Sequence, residues 1–187
     1  HELRTPLQAI AMSVAALRLT TVHEDEQSHG QLTVALRNVA KMSRLVEDLL
    51  DISQMEAGTF EIRPEPVTLL GLLDETLEPK AMELGIALSC EAADGLPSVS
   101  GDRQRLAQVL FNLVDNALKF TPHGGQVAVR AQSSEGQVRI TVEDTGPGIP
   151  AELTSKVFDS FWQADRATRA GAGLGLGIAK GIVEAHG

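Results

Sequence analysis

The chain has 187 residues, a formal net charge of -9 at pH 7 and a hydrophobic content of 43%. This length allows one large domain or two small ones, and the apolar content is sufficient for a sizeable core. The negative charge leaves no basic stripe for a phosphate backbone, so we expect no nucleic acid partner. Since no apolar run approaches the roughly 20 residues that span a bilayer, we expect any membrane anchor to lie in segments outside this portion. A single cysteine suits a reducing compartment, and we expect this portion to be cytoplasmic. The single cysteine, Cys90, is predicted to be a small buried apolar residue.

The N-terminal third has the apolar periodicity of two helices. The first is predicted from His1 to about Val22 and the second from Gln31 to about Ala57, with the polar segment His23 to Gly30 between them. Apolar residues recur at seven-residue intervals in the second helix, at Leu32, Val39 and Val46. Because two helices cannot enclose so wide an apolar stripe, we predict a hairpin that dimerises into a four-helix bundle.

A change of pattern follows Gly58 to Pro66, a segment with one glycine and two prolines that we interpret as a hinge. Strands and helices are then segregated, which predicts an α+β sandwich with helices on one face of a sheet. The predicted elements are a helix over Val67 to Leu84, a strand over Ile86 to Glu91, a helix from Asp102 to Phe120, a hairpin of Gln126 to Ala131 and Val138 to Glu143 around the turn Ser133 to Gly136, and a helix from about Gly173 to Ala185.

The first chemical motif is the string His1-Glu2-Leu3-Arg4-Thr5-Pro6. On a helix His1 and Thr5 stack one turn apart, and Glu2 lies beside them. An exposed imidazole next to a carboxylate can accept a phosphoryl group, because the carboxylate fixes the tautomer and stabilises the developing charge. The alternative is that Thr5 caps a helix whose first residue is Pro6, which would leave His1 in an inert leader.

The second motif lies on the helix that ends at Phe120. Asn112, Asn116 and Lys119 share one face at steps of four and three residues. Amide oxygens suit Mg²⁺ as hard neutral ligands, and lysine supplies a point charge for phosphates. A solvated polar face of an amphipathic helix would produce the same stripe.

The third motif, Asp144-Thr-Gly146-Pro-Gly148, follows a predicted strand. An aspartate at a strand end can accept a hydrogen bond from an exocyclic amine such as that of adenine, and the glycines let the backbone approach the ring. A tight turn explains the glycines equally well.

The fourth motif, Gly171-Ala-Gly173-Leu174-Gly175-Leu176-Gly177, opens the last predicted helix. Bare backbone N–H groups at a helix N-terminus suit an anion such as a triphosphate. A dinucleotide site is not expected, because no strand precedes the glycines and no βαβ unit surrounds them. The aromatic string Phe158 to Gln163 lies between the third and fourth motifs and is interpreted either as the anchor of a mobile lid or as ordinary core.

These strings, in this order and at these spacings, resemble the H-box, N-box, aspartate-glycine box, phenylalanine box and second glycine box of sensor histidine kinases. The resemblance implies a phosphoacceptor hairpin followed by an ATP-binding domain of the Bergerat fold, with ATP and Mg²⁺ as cofactors. It implies that His1 accepts the phosphoryl group, Glu2 is its base or orienting partner, and Thr5 orients a water for dephosphorylation of a regulator. For the nucleotide, the resemblance implies that Asn116 ligates Mg²⁺ and that Asn112 and Lys119 lie near the phosphates. It implies that Phe120 packs on adenine and that Asp144 accepts a hydrogen bond from the adenine amine. Gly146, Gly148 and the string Gly173-Leu174-Gly175-Leu176 are implied to shape the pocket and the lid.

The family also implies a homodimer and a response regulator that receives the phosphoryl group on an aspartate. Related ATPases carry a glutamate at the position of Asn112, and an amide cannot act as a general base. The alternatives are a pseudokinase that only dimerises and binds the regulator, an ATPase of the same fold, and a kinase in which phosphatase activity dominates.

The resulting domain assignment is residues 1–58 for dimerisation and the phosphoacceptor, 59–66 for the hinge and 67–187 for ATP binding. Family members extend before the acceptor histidine and continue into closing strands after the position of Gly187, so we expect both ends to be crops of a longer protein. An isolated chain of this length should then dimerise weakly, which sedimentation would measure.

Overall fold

The structure is a computed structural model that describes residues 10, 12, 14, 26–68, 72, 77–93, 95–134, 136–163 and 172–187. It divides into two compact units, His1–Thr59 and Phe60–Gly187, which are described separately. Within the described ranges, no helix combines the length and the apolar content that a bilayer crossing requires.

The first unit contains the helix α1, Glu26–Glu56, of 31 residues. It begins five residues before the predicted start, so much of the polar segment assigned to a connection is helical. Unbranched polar residues favour helix, and an acidic side chain at the N-terminus of a helix is favoured by its dipole. Gly58, with a φ of +65°, ends the helix in the left-handed conformation that glycine tolerates. Ile10, Met12 and Val14 are also helical, and the rest of the first predicted helix lies outside the described residues.

The described residues of the second unit form five strands, three helices and a short 3₁₀ turn. In chain order these are β1 Glu65–Val67, α2 Leu77–Leu84, β2 Ala87–Ala92, β3 Val99–Gly101, α3 Arg103–Phe120, β4 Gln126–Ser134, β5 Gln137–Asp144, the 3₁₀ turn Ala151–Leu153 and α4 Gly175–Ala185. The strands β2, β4 and β5 form one sheet in that order, parallel between β2 and β4 and antiparallel between β4 and β5. The strands β1 and β3 pair separately and antiparallel.

The helix predicted over Val67 to Leu84 is wrong in its first part. Val67 closes strand β1, where it pairs with Val99, while Thr68 and Leu72 lie in no regular element. Among the described residues of this range, Leu77–Leu84 form the helix. Pro64 and Pro66 favour an extended backbone, which explains why Val67 lies in a strand, and Val67 and Leu72 are buried with Leu110 in one cluster. Strand β3 was not predicted, because three residues carry too little periodicity to identify a strand.

The hairpin is longer than predicted. Strand β4 runs to Ser134 and β5 begins at Gln137, so Ser133 and Ser134 are paired residues and not part of the turn. Gly136 has a φ of +79°. A two-residue connection with a left-handed residue matches the twist of the flanking strands, which explains why the ladder extends to its tip.

The core lies between the three-stranded sheet and the helices. From α3, Val114 and Leu118 are buried against Val127 and Val129 of β4. Helix α4 buries Ile178 and Ile182 completely. The prediction for Cys90 is wrong: it is exposed on β2, since the core cluster includes Leu88 but does not extend two residues further along this strand.

Candidate nucleotide-binding site

The proposed phosphoacceptor string lies outside the described residues. This applies to His1, Glu2 and Thr5. The other four motifs are described, and they come from different parts of the second unit.

Helix α3 supplies the amides and the lysine. It forms because Asp102 caps it, accepting hydrogen bonds from the N–H groups of Gln104 and Arg105 at 3.1 Å each, and because one stripe of the helix is buried. At the other end the Thr121 hydroxyl donates to the Ala117 carbonyl at 2.8 Å. Asn112 and Asn116 are half-buried on this helix. Its rigid frame fixes the spacing of the two amides.

Asn112 links α3 to the start of α4. Its side-chain N–H donates to the Gly175 carbonyl at 3.2 Å, and a Cβ at Gly175 would lie 3.6 Å from the Asn112 amide oxygen. Leu174 precedes the helix and is 2% exposed, which anchors the glycine string in the core. Leu176 is half-buried in the first turn. Two motifs 63 residues apart therefore meet at a hydrogen bond.

Asp144 lies at the end of β5 beside the C-terminus of α3. Its carboxylate accepts a hydrogen bond from the Gly146 N–H at 2.8 Å. A Cβ at Gly146 would come within 2.9 Å of the Phe120 carbonyl oxygen, so only glycine fits between the strand end and the helix. Gly148 has a φ of +73° and open space where a side chain would project. The third motif is thus adjacent to the second.

Lys119 and Phe120 are exposed at the end of α3. The Lys119 ammonium lies 4.9 Å from the centroid of the Phe120 ring. Burial lowers the pKa of Lys119, the nearby charge of Lys80 lowers it further, and Asp115 partly offsets both effects. Phe120 is 47% exposed, which leaves a ring face available for stacking.

The aromatic string is connected to the glycine string. The Phe161 N–H donates to the Gly173 carbonyl at 2.9 Å, and Phe161 has a φ of +64°, unusual for an aromatic residue. Gly173 has a φ of +71°, and a Cβ there would lie 2.5 Å from the Trp162 carbonyl oxygen. This hydrogen bond brings together the described residues that flank residues 164–171 in the sequence.

The described residues fit a Mg²⁺-bound nucleoside triphosphate. Within the described part of the chain, the Asn116 amide has no protein partner, and the Asn112 amide oxygen remains available while its N–H is engaged with Gly175. These are neutral oxygen donors of the kind that Mg²⁺ accepts beside phosphates. Gly146 keeps the backbone close to Phe120, whose carbonyl oxygen would lie 2.9 Å from an added Cβ, whereas a Cβ at Gly175 would make ordinary contact with Asn112.

Two charged residues near this site were not identified from the sequence. Lys80 of α2 forms an ion pair with Asp115, which lies on α3 between Asn112 and Asn116 in the sequence. The spacing on α3 could have indicated Asp115, since it stands one turn before Lys119. Lys80 is 35 residues away and carries no motif, so only the packing of α2 on α3 reveals it.

The fold and the motifs define a protein with an ATPase domain of the kinase, gyrase and chaperone type preceded by a helical phosphoacceptor region. Residues 101–187 match the family "Histidine kinase-, DNA gyrase B-, and HSP90-like ATPase", and residues 1–58 match "His Kinase A (phospho-acceptor) domain". The predicted α+β class, with a helical region followed by an α/β ATPase domain, is confirmed by these matches and by the structural neighbours.

Known proteins with similar chains are sensor proteins and histidine kinases. The chain is 39% identical over 194 residues to the sensor protein DivL of Caulobacter vibrioides, covering all of this chain and 24% of DivL. The full-length structure of ShkA in complex with AMPPNP superposes with a TM-score of 0.76 at 33% identity, covering 99% of this chain and 39% of that one. The mycobacterial sensor histidine kinase MprB superposes with a TM-score of 0.58 at 34% identity, covering 66% of this chain and 80% of that one.

The chain belongs to the sensor histidine kinases. It spans about a quarter of the length of DivL, so DivL contains much that has no counterpart in these 187 residues.

Proposed function

We propose that this chain is the catalytic core of a protein-histidine kinase, which transfers the γ-phosphoryl group of ATP to His1 and from there to an aspartate of a response regulator. The observation that carries the proposal is the hydrogen bond from Asn112 to the Gly175 carbonyl. It brings the amide motif to the N-terminus of α4, where an amide oxygen, a lysine and bare backbone N–H groups can converge on phosphates. The ShkA structure with AMPPNP, an ATP analogue, supports ATP as the nucleotide.

The roles of the nucleotide-binding residues follow from their positions. The Asp144 carboxylate would accept a hydrogen bond from the adenine amine, and the Phe120 ring would pack on the base. Lys119 would contact the phosphates. The glycines at 146, 148, 173 and 175, with Leu174 and Leu176, would shape the pocket and the segment that covers it.

Mg²⁺ would be held by the amide oxygen of Asn116, with Asn112 beside it, and would neutralise phosphate charge when bound. The remaining chemistry belongs to the chain. An imidazole nitrogen of His1 would form the bond to the γ-phosphorus as the bond to the departing ADP oxygen breaks, and Glu2 would take the imidazole proton. Thr5 would orient water for dephosphorylation of the regulator. Most of the rate enhancement would come from positioning and charge neutralisation.

Phosphoryl transfer is favoured over hydrolysis of ATP by the side chain at position 112. The Asn112 amide cannot remove a proton from water at neutral pH. Its N–H is also engaged with Gly175, which gives it a structural role in the site. Asp115, the carboxylate one turn further along α3, is engaged in an ion pair with Lys80.

A homodimer through the first unit is supported by the surface of α1. Among the side chains of this helix that the structure describes, the large apolar ones exposed in the single chain include Val34, Met42, Leu49 and Leu50. Met42 and Leu49 are seven residues apart, as the seam of a helical bundle requires. We assign residues 1–58 to dimerisation and phosphoacceptance, 59–66 to the hinge and 67–187 to ATP binding, in a cytoplasmic portion with access to ATP.

The test of this function follows the γ-phosphoryl group. Wild type and His1→Gln are incubated with γ-labelled ATP and Mg²⁺, and label on protein and in free phosphate is measured. We expect acid-labile, base-stable label on the wild type and none on His1→Gln, since phosphoramidates hydrolyse in acid. Label released only as free phosphate would favour the ATPase, and bound nucleotide without label would favour the pseudokinase.

A further inference from the structure

Lys119 has two candidate anionic partners, the Asp115 carboxylate and the phosphates of a bound nucleotide. The Asp115 carboxylate is already paired with another lysine. Asp115 stands one helical turn before Lys119 on α3, with the acidic residue N-terminal to the basic one. This is the favourable orientation for an ion pair within a helix. Yet among the described residues Lys119 has no carboxylate partner, and its ammonium lies over the Phe120 ring.

The reason is that Asp115 binds Lys80 instead. Lys80 of α2 forms an ion pair with the Asp115 carboxylate, and both side chains are partly buried, with 42% and 32% exposed. Helix α2 is fixed at this place by Leu77 and Ala81, which are 2% exposed and belong to the core cluster with Leu118 of α3. Lys80 is therefore held beside Asp115 by the same core that supports α3.

Resting on the function proposed above, we propose that Lys80 is a positioning residue for the nucleotide: by binding Asp115 it keeps the Lys119 ammonium available to the phosphates. If Lys80 is removed, Asp115 becomes an unpaired carboxylate one turn from Lys119. It then attracts the ammonium and adds a negative charge near the anionic ligand. Lys80 acts through Asp115, so its effect should vanish when Asp115 is neutral.

The test is a double-mutant cycle read by nucleotide affinity. The dissociation constants of ADP and adenosine are measured calorimetrically at low salt, with and without Mg²⁺, for wild type, Lys80→Met, Asp115→Asn and the double variant. We expect Lys80→Met to weaken ADP binding about two- to fivefold, as a partly exposed ion pair allows. Adenosine, which lacks phosphates, should bind unchanged, and the double variant should bind ADP as the wild type does.

Two further variants separate positioning from folding or net charge. Lys80→Arg should preserve ADP affinity because the guanidinium can hold Asp115. Arg139→Met on β5 removes one positive charge near the end of the strand opposite Asp144 and should change nothing. A double variant as weak as Lys80→Met would overturn the inference, because Lys80 would then act on the nucleotide directly or through stability. Equal weakening of adenosine would also overturn it. A wild type that binds no ADP would contradict the proposed function itself, and this inference with it.

Discussion

Substitution of Gly173 by alanine should disrupt the contact between the aromatic string and the start of α4. Gly173 has a φ of +71°, and an added Cβ would meet the Trp162 carbonyl oxygen at 2.5 Å and the Phe161 carbonyl carbon at 3.0 Å. A left-handed alanine costs about 1–2 kcal/mol. The close backbone contact adds roughly 1–3 kcal/mol, as overpacking does, so we expect a total of about 2–5 kcal/mol.

Gly136→Ala is the matched control. Gly136 has a φ of +79°, and an added Cβ would meet nothing within 4 Å, so this variant carries only the backbone cost of about 1–2 kcal/mol. The free energy of unfolding is measured by urea denaturation and ADP affinity by calorimetry for both variants. If Gly173→Ala relieves its strain by separating residues 158–163 from α4, the variant should bind ADP more weakly, with a smaller decrease in the free energy of unfolding. Two variants of equal stability, both with wild-type ADP affinity, would refute this reasoning.

Two carboxylates predict opposite dependences of stability on pH. Burial would raise the pKa of Asp102, but hydrogen bonds from the backbone N–H groups of Arg63, Arg105 and Gln104 outweigh it and lower the pKa. The ionised Asp102 carboxylate therefore stabilises the fold above its ordinary pKa, and this stabilisation is lost as pH falls. Asp102→Ala should lower the free energy of unfolding by about 1–2 kcal/mol at pH 7. In urea denaturation, the difference in free energy of unfolding between this variant and wild type should shrink below about pH 4. Burial raises the pKa of Asp48 to about 6, with Arg44 opposing and Asp51 and Glu47 adding to the shift. Stability is therefore lost as pH rises from about 4 to about 6, and the melting temperature of wild type relative to Asp48→Asn should fall over this range. The first prediction is contradicted if the difference in free energy of unfolding between Asp102→Ala and wild type does not change with pH. The second is contradicted if the difference in melting temperature between Asp48→Asn and wild type does not change with pH.

The elements that could be predicted from sequence are those with strong local signals. Helix α3 was identified over Asp102 to Phe120 because a capping aspartate precedes a long amphipathic stretch, and it is observed over Arg103–Phe120. The hairpin was identified from its alternating apolar and polar residues. The strands pair as far as Ser134 and Gln137, closer to the turn than the polar residues of this segment indicated. Strand β1 was missed: Glu65 and Pro66 were assigned to the hinge and Val67 to a helix, because the residues that keep the strand extended, Val99 and Leu110, are distant in sequence.

The site was predicted in its parts but not in its connections. Spacing placed Asn112, Asn116 and Lys119 on one face of a helix, and the structure has all three on α3. The hydrogen bond from Asn112 to Gly175 depends on how α4 packs on α3, and periodicity carries no such information. The same holds for His186, whose imidazole accepts a hydrogen bond from the Asp102 N–H at 2.9 Å across 84 residues of sequence. Local patterns specify elements, whereas side-chain partners from distant segments are specified by packing.

The central claim, that the phosphoryl group of ATP reaches His1, is tested most directly by locating it. The chain is incubated with ATP and Mg²⁺, digested at alkaline pH, where phosphohistidine survives, and mapped by mass spectrometry. We predict one phosphoryl group on the peptide that contains His1, positioned on the imidazole, and its absence when Asn116 is replaced by alanine. A phosphoryl group on another residue, or an unmodified peptide beside accumulating ADP, would contradict the claim.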